Sequence, residues 1–312
     1  MSAPAGPGRG TALGADIGGT AIKLGRLDGA SRAEREIPTD PDSGSGSLAE
    51  RLSAAWRELL LPGEAVPPLG IGCAGLIDAG SGEVVTSANL PGWSREPLAD
   101  RVASLMGRRP VLLNDASAFV LAESRLGAGR AHGAGTIVGL AIGTGVGGGL
   151  VIDGRLYEGP RGFAGEPGHM PIDLDGPVCA CGARGCLEAM IGTRAIQAAY
   201  ARRRGEATVH TPREIFERAE AGDAAAAEVW EEIGAILGRA LTGLTHLLDP
   251  DLIVVGGGIA RAGERLLAPA RRSFAQTVMA PEGLRPTIVP AALANAAGWI
   301  GAALRARDEE TP

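Results

Sequence analysis

His169, Cys179, Cys181 and Cys186 crowd into one stretch, GHMPIDLDGPVCACGARGC (residues 168–186). One imidazole and three thiols are the donor set of a closed tetrahedral zinc site. The spacing Cys-x-Cys-x₄-Cys differs from the Cys-x-x-Cys of thiol oxidoreductases, and four cysteines in 312 residues are too few for a disulfide framework. Gly182 and Gly185 allow sharp turns between ligands, and Pro171 and Pro177 bound the loop. Four protein ligands leave no open position, so the zinc would be structural. The alternative is three incidental thiols on a loop, against the preference of free cysteine for cores. Glu166 and Glu188 flank the cluster, where a rigid metal loop could hold them, with one face of His169, against a polar ligand. Cys73, in GIGCAGLID, has no partner nearby and reads as a small core residue.

A second chemistry is written in glycine. ADIGGTAIKLGRLDG (15–29) and LAIGTGVGGGLVIDG (140–154) share one pattern: an apolar run, a Gly/Thr turn, a second apolar run and Asp-Gly. Two such hairpins predict a duplicated domain. Their tips, Gly18-Gly19-Thr20 and Gly143-Thr144-Gly145, can offer backbone N–H groups and hydroxyls to phosphate oxygens. Asp16 could reach a magnesium ion directly or through water. Lys23, the chain's one lysine, belongs to the same repeat and is grouped with the phosphate residues. The stretch GTGVGG satisfies Gly-x-Gly-x-x-Gly, but it continues as strand, turn and strand instead of opening a helix, which argues against the rival dinucleotide fold. A third cluster, Gly256-Gly257-Gly258, follows an apolar strand at 252–255 and precedes an amphipathic helix. Gly257 and Gly258 there read either as a tight turn or as nucleotide contacts.

Phosphoryl transfer to an alcohol needs positioning, charge neutralisation and a base. In RRPVLLNDASAFVLAESRLGAG a buried strand over 110–113 passes into a helix from Asp115. Asp115 is either the helix N-cap or the base that accepts the hydroxyl proton, with Asn114 bonding the acceptor. Asn89, in SANLPGW, is either part of a surface turn plugged by Trp93 or a further hydroxyl-binding group.

These residues need scaffolding, and the composition supplies it. With 45% hydrophobic residues and a formal charge of −6, the chain is expected to be soluble and globular with two domains. No apolar run approaches membrane-spanning length, and the start reads as a disordered tail over 1–9, so a cytoplasmic address is expected. The acidic balance argues against a nucleic-acid partner. The region 212–248 reads as helical and mostly core, with Val229, Ile233, Ile236, Leu237, Leu241, Leu244 and Leu248 on one face. The expected domains are 10–113 completed by a C-terminal helix over 297–312, and 114–296.

DIGGT, NDASA, GTGVGGG, AGEPGH, CACGARGCLE and VVGGGIA, in this order over roughly residues 11 to 301, resemble the ROK family of bacterial sugar kinases and repressors. The resemblance implies an α/β fold, actin/hexokinase-like (ribonuclease H-like), duplicated, with a nucleotide and sugar cleft between its domains. It makes Asp115 the catalytic base and assigns Asn89, Asn114, Asp115, Glu166, His169 and Glu188 to sugar hydroxyls. His169 gains a second duty beside Cys179, Cys181 and Cys186 as a zinc ligand. It implies ATP with Mg²⁺, a hexose phosphorylated at its 6-hydroxyl, glucose first, and a homodimer or dimer of dimers. N-acetylmannosamine or fructose, a polyphosphate donor, and a non-catalytic sugar-binding or regulatory protein are the alternatives. The repressor branch carries an N-terminal winged helix, for which only about a dozen residues precede the first glycine loop. Ser117, Pro167 and Ala74 depart from the family's usual residues, and the first two bear on the shape of the sugar pocket.

Overall fold

The apolar runs around the two glycine turns build the same sheet twice. The computed structural model describes residues 10–29, 31–87, 89–133, 135–205 and 208–310, so the tail expected over 1–9 lies outside the described residues. The chain opens with β1 (Thr11–Ile17), β2 (Ala21–Asp28), β3 (Ser31–Pro38), α1 (Gly44–Arg57), β4 (Leu69–Cys73), β5 (Leu76–Asp78), β6 (Glu83–Thr86), β7 (Ser94–Glu96), α2 (Leu98–Met106), β8 (Val111–Asn114) and α3 (Asp115–Leu126). It continues with β9 (Ile137–Ile142), β10 (Val146–Ile152), β11 (Arg155–Leu156), α4 (Leu187–Ile191), α5 (Thr193–Arg204), α6 (Pro212–Glu220) and α7 (Ala224–Leu248). The last elements are β12 (Leu252–Gly256), α8 (Glu264–Thr277), β13 (Thr287–Pro290) and α9 (Ala297–Asp308). One sheet has the order β3-β2-β1-β4-β8 and the other β11-β10-β9-β12-β13, and β5, β6 and β7 form a small third sheet. Strand for strand, β1, β2, β3, β4 and β8 correspond to β9, β10, β11, β12 and β13. In both sheets the third and fourth strands pair in parallel, as do the fourth and fifth.

The Asp-Gly turns that suggested the repeat sit one residue out of step. Ile152 pairs with Arg155, leaving Asp153 (φ 52°) and Gly154 (φ 74°) as a two-residue loop with positive φ at both places, the type I′ hairpin geometry. Asp28 instead pairs with Ser31 and ends its strand, and Gly29 (φ 61°) enters the turn.

By contacts the chain divides into two units. The first is Met1–Ala134 with Gly149–Ala164 and Leu293–Pro312, and the second Gly135–Gly148 with Gly165–Ala292. This corrects the boundary expected at 113/114, because α3 stays with the first unit. The reason lies in α9, whose small residues bring backbones nearly into touch. A Cβ on Gly301 would stand 1.7 Å from the Ala118 carbonyl oxygen, and one on Gly70 or Gly14 would stand 1.9 Å from that of Ala302 or Trp299. Helix α9 is thus clamped to β1, β4 and α3 at once. Beneath α1 and α2 lies a core with Leu13, Ile17, Leu52, Trp56, Ile71 and Cys73 nearly or wholly buried. The outer strand β3 is exposed over most of its length and rich in charge, which blunts the sheet edge.

In the second unit the helical region 212–248 comprises two helices, α6 and α7. Thr211 and Glu214 form a reciprocal cap at the start of α6. Gly222 (φ 93°) breaks the chain, and the Asp223 side chain accepts the Ala226 N–H to start α7. The apolar face of α7 is core, including Val229, Trp230, Ile233, Leu237 and Leu241, and α8 packs closely at Gly234 and Gly238. Among the described residues no helix is long and apolar enough to cross a membrane.

Candidate active site

In the first unit, the end of β8 and the start of α3 form the junction expected to hold the base. Asn114, not Asp115, is the N-cap. Its Oδ1 accepts the N–H groups of Ala116 (2.9 Å) and Ser117 (3.2 Å), and its Nδ2 donates to the Gly75 carbonyl (3.2 Å). Asn114 therefore keeps one N–H for an outside acceptor. Asp115 is the first helical residue, and its carboxylate accepts the neighbouring Ala116 N–H (2.9 Å). Burial raises the Asp115 pKa, with backbone N–H groups opposing. Gly72 of β4 lies beside this junction, where an added Cβ would be in ordinary contact with Asp115 Cα at 3.6 Å.

Asp16 ends the same field of carboxylates. It lies one residue before the end of β1, and helix α9 reaches it at Gly298, where a Cβ would stand 2.4 Å from Asp16 Oδ2. Burial pushes its pKa up to about 7, the Asp115 charge adding to the rise and Lys23 opposing it. Lys23 sits opposite Asp16 in the β1–β2 register and opposite Glu36 in the β2–β3 register. It is a mid-strand cation in a row of carboxylates, away from the loop tip. Cys73 is fully buried and its thiol is raised by burial, with Asp115 and Asp16 adding, which fits an inert core thiol.

Beyond Asp16 the tip Gly18-Gly19-Thr20 is held from below. The Gly18 N–H bonds the Ala21 carbonyl at 3.1 Å, and the Gly18 carbonyl accepts the Thr39 hydroxyl at 2.6 Å. Gly19 and Thr20 are exposed. Asn89 is exposed too and stands over Gly19, whose added Cβ would lie 3.6 Å from Asn89 Cβ. Trp93 is buried as the expected plug.

In the second unit the tip Gly143-Thr144-Gly145 has the matching support. The Gly143 N–H bonds the Gly145 carbonyl (2.8 Å), and the Gly143 carbonyl accepts from Thr193, both N–H (3.1 Å) and hydroxyl (3.0 Å). The Gly256–Gly258 cluster does not open a helix directly, because a 3₁₀ turn over Ile259–Ala262 intervenes before α8. Gly257 (φ 89°) is required by packing, since a Cβ would stand 2.3 Å from the Ile142 carbonyl. Gly257 and Gly258 are both exposed, but only at Gly258 would an added Cβ meet nothing within 4 Å.

The metal-type cluster assembles in the same unit. Ligand atoms of His169, Cys179, Cys181 and Cys186 all lie within 4.8 Å of one another. Cys181 Sγ and Cys186 Sγ are 3.7 Å apart, and Cys179 Sγ is 3.8 Å from His169 Nδ1. Sulfurs about 2.3 Å from a tetrahedral zinc would be about 3.8 Å from each other, whereas a disulfide needs about 2 Å. The four residues fit zinc. As free thiols, Cys186 is pushed up to about 12 by burial and by Cys181, and Cys181 down to about 7 by the Ala183 N–H and by Cys179. His169 follows Glu166 on a short turn in which Pro167 and Gly168 are buried, while Glu166 and His169 are exposed. Pro167, one of the departures, is seated against Gly148, where a Cβ would lie 2.3 Å from Pro167 Cγ.

Glu188 does more than its sequence position promised. Its Oε2 accepts the Val146 N–H (3.0 Å), and its Oε1 stands 3.7 Å from Cys179 Sγ. The supports of the two tips, Thr39 and Thr193, were also missed, because a threonine bonded to a distant carbonyl leaves no local pattern. Gly298 did leave a signal, as a glycine inside an otherwise good helix former.

The family model of the ROK family matches residues 12–309. The chain is 35% identical to a glucokinase from Thermotoga maritima over 93% of its length and 95% of that protein. It is 34% identical to an N-acetylmannosamine kinase from Escherichia coli, over 96% of this chain and 99% of that one. The crystal structure of a ROK family glucokinase from Streptomyces griseus, in complex with glucose and AMPPNP, superposes with a TM-score of 0.79 at 32% identity, covering 96% of this chain and all of that one. The duplicated sheets are accordingly those of the actin/hexokinase-like fold. With the matched segment taking in both glycine tips, Asp115 and the cysteine cluster, the chain belongs to the ROK family.

Proposed function

We propose that this protein is an ATP-dependent hexose kinase that phosphorylates the 6-hydroxyl, with glucose as its substrate. The observation that carries the reading is the junction at β8 and α3. Because Asn114 caps the helix, the Asp115 carboxylate is left to accept a proton, and burial moves its pKa towards the working range of a general base. Asp115 takes the proton of the attacking hydroxyl, and Asn89, Asn114, Glu166, His169 and Glu188 hold the other sugar hydroxyls. Gly18, Gly19, Thr20, Gly143, Thr144, Gly145 and Gly258 face the nucleotide, the N–H groups of the tips offsetting charge on the transferred phosphoryl group. Lys23 acts at longer range, through the field it exerts on Asp16. Gly257 serves the nucleotide by shaping the turn. Asp16 is the carboxylate for Mg²⁺, which supplies charge neutralisation at the phosphates.

His169, Cys179, Cys181 and Cys186 hold a structural zinc, which contributes cross-linking of the loop and no chemistry of its own. We place the enzyme in the cytoplasm, as a homodimer or dimer of dimers.

The test is ADP release from MgATP with glucose, mannose, fructose, N-acetylglucosamine and N-acetylmannosamine supplied singly. Glucose is expected to lead in kcat/KM by tenfold or more, about 1.4 kcal/mol of transition-state discrimination. An N-acetylmannosamine lead would favour the second reading, which the 34% identity to the E. coli kinase supports. Sugar-dependent thermal stabilisation with no ADP from any sugar would overturn the kinase.

A further inference from the structure

The cysteine cluster and the second glycine tip are joined by a single short helix. Cys186, wholly buried, is the residue before α4, and Leu187 and Ile191 of α4 are wholly buried as well. At the start of α4, Glu188 puts one carboxylate oxygen 3.7 Å from Cys179 Sγ and accepts the Val146 N–H with the other at 3.0 Å. The fit is close: a Cβ on Gly145 would stand 2.2 Å from Glu188 Oε2. At the end of α4, Gly192 packs on the Thr144 carbonyl, its added Cβ 3.1 Å away, and Thr193 gives its N–H and its hydroxyl to the Gly143 carbonyl. Helix α4 and the Gly192-Thr193 step after it thus hold the tip from two sides, while the second residue of α4, Glu188, lies against a thiol of the cluster.

We infer that α4 couples the metal cluster to the phosphate-binding tip, so that metal occupancy sets nucleotide affinity, with Glu188 and Thr193 as positioning residues. The inference rests on the reading of Gly143–Gly145 as a phosphate loop. Zinc bonded to Cys179 and Cys186 fixes both the start of α4 and the sulfur against which the Glu188 carboxylate rests. Without it the thiols retain only contacts of 3.4 to 3.8 Å, and the Val146 N–H loses its fixed acceptor. A preordered loop binds phosphate without an ordering cost. The coupling must also be reciprocal: nucleotide must tighten zinc by the factor by which zinc tightens nucleotide.

The experiment is titration calorimetry of the full chain with Mg²⁺·AMPPNP in the absence of sugar, in the zinc-loaded, zinc-stripped and zinc-restored protein. Stripping is expected to weaken AMPPNP about tenfold and restoration to recover it. AMPPNP is expected to lower the zinc dissociation constant, measured by competition with a chelator, by the same factor. Hydrogen exchange should show the Val146 amide protected only with zinc bound. Because stripping could unfold the loop broadly, Thr193→Val and Thr193→Ser are compared with zinc retained. Valine should weaken AMPPNP about three- to tenfold and serine should restore it, since only serine keeps the hydroxyl. AMPPNP affinity unchanged within twofold on stripping, or equal in the valine and serine variants, overturns the coupling while leaving the kinase intact. A zinc-loaded protein that binds no AMPPNP overturns the phosphate-loop reading itself.

Discussion

The two glycine tips share their support and differ in what surrounds them. In each, the carbonyl of the first glycine accepts a threonine hydroxyl, Thr39 for Gly18 and Thr193 for Gly143, although those threonines come from unrelated segments. The first tip follows Asp16, a carboxylate raised by its own burial and by Asp115. The second has alanine, Ala141, at the corresponding place, and is instead braced by Glu188 and α4. One copy of the duplicated hairpin has taken up charge and the other support. The lesson is that a repeat can keep the bond to its first glycine's carbonyl while its two copies divide the work.

The sharpest break of this comparison is at the charged copy. Asp115→Asn keeps shape and removes the base, and turnover is expected to fall about 10²- to 10⁴-fold with sugar binding, measured calorimetrically, within a few-fold of the parent. A variant that turns over near normally would move the base elsewhere.

The second break is a titration. Asp16 has its pKa raised to about 7 from an ordinary 3.8, so only well below that ordinary value is it protonated in both the folded and the unfolded chain. As the pH rises from about 4 to 7 the unfolded chain ionises first, so stability falls over that window and levels off above it. The full effect is on the order of 4 kcal/mol. Thermal unfolding of the metal-free protein from pH 4 to 8 should show this decline. Asp16→Asn should remove its share, leaving a slope of the same sign due to Asp115, also raised by burial. A slope unchanged in Asp16→Asn would mean that the two carboxylates do not share a field.

What was legible in the sequence was whatever is local. The cysteine spacing, each glycine hairpin and the strand-to-helix passage at Asn114-Asp115 each lie within about twenty residues, and the elements are found there, with the Asp-Gly turns one residue out of step. The helix break inside 212–248 was equally local, written in Thr211, Gly222 and Asp223, and was overlooked because the apolar periodicity runs on past it. What could not be read depends on distant backbone. Asn114 caps α3 in place of Asp115, and its amide is held by the carbonyl of Gly75, far back in the chain. The unit boundary is set by α9 closing on Ala118 from near the other end of the chain. Glu188 was placed at a sugar and missed at Val146, since nothing in CLEAMIG announces which N–H its carboxylate will meet.

The smallest effect separates space from contact within the supported copy. Gly257 and Gly258 are adjacent and identical in sequence terms, yet a Cβ on Gly257 would lie 2.3 Å from the Ile142 carbonyl at φ 89°, whereas one on Gly258 meets nothing within 4 Å. Gly257→Ala combines overpacking with a left-handed backbone and is expected to cost about 1–3 kcal/mol, read from the denaturation midpoint. Ile142 is the residue from which the second tip springs, so nucleotide affinity should fall with stability. Gly258→Ala should leave the midpoint within about 0.5 kcal/mol and disturb nucleotide affinity only if a phosphate or ribose approaches that backbone. Nucleotide affinity lost in Gly258→Ala at unchanged stability would put this glycine in contact with the ligand. Equal loss of stability in both variants would remove the distinction drawn between a glycine that fills a contact and one that leaves a surface open.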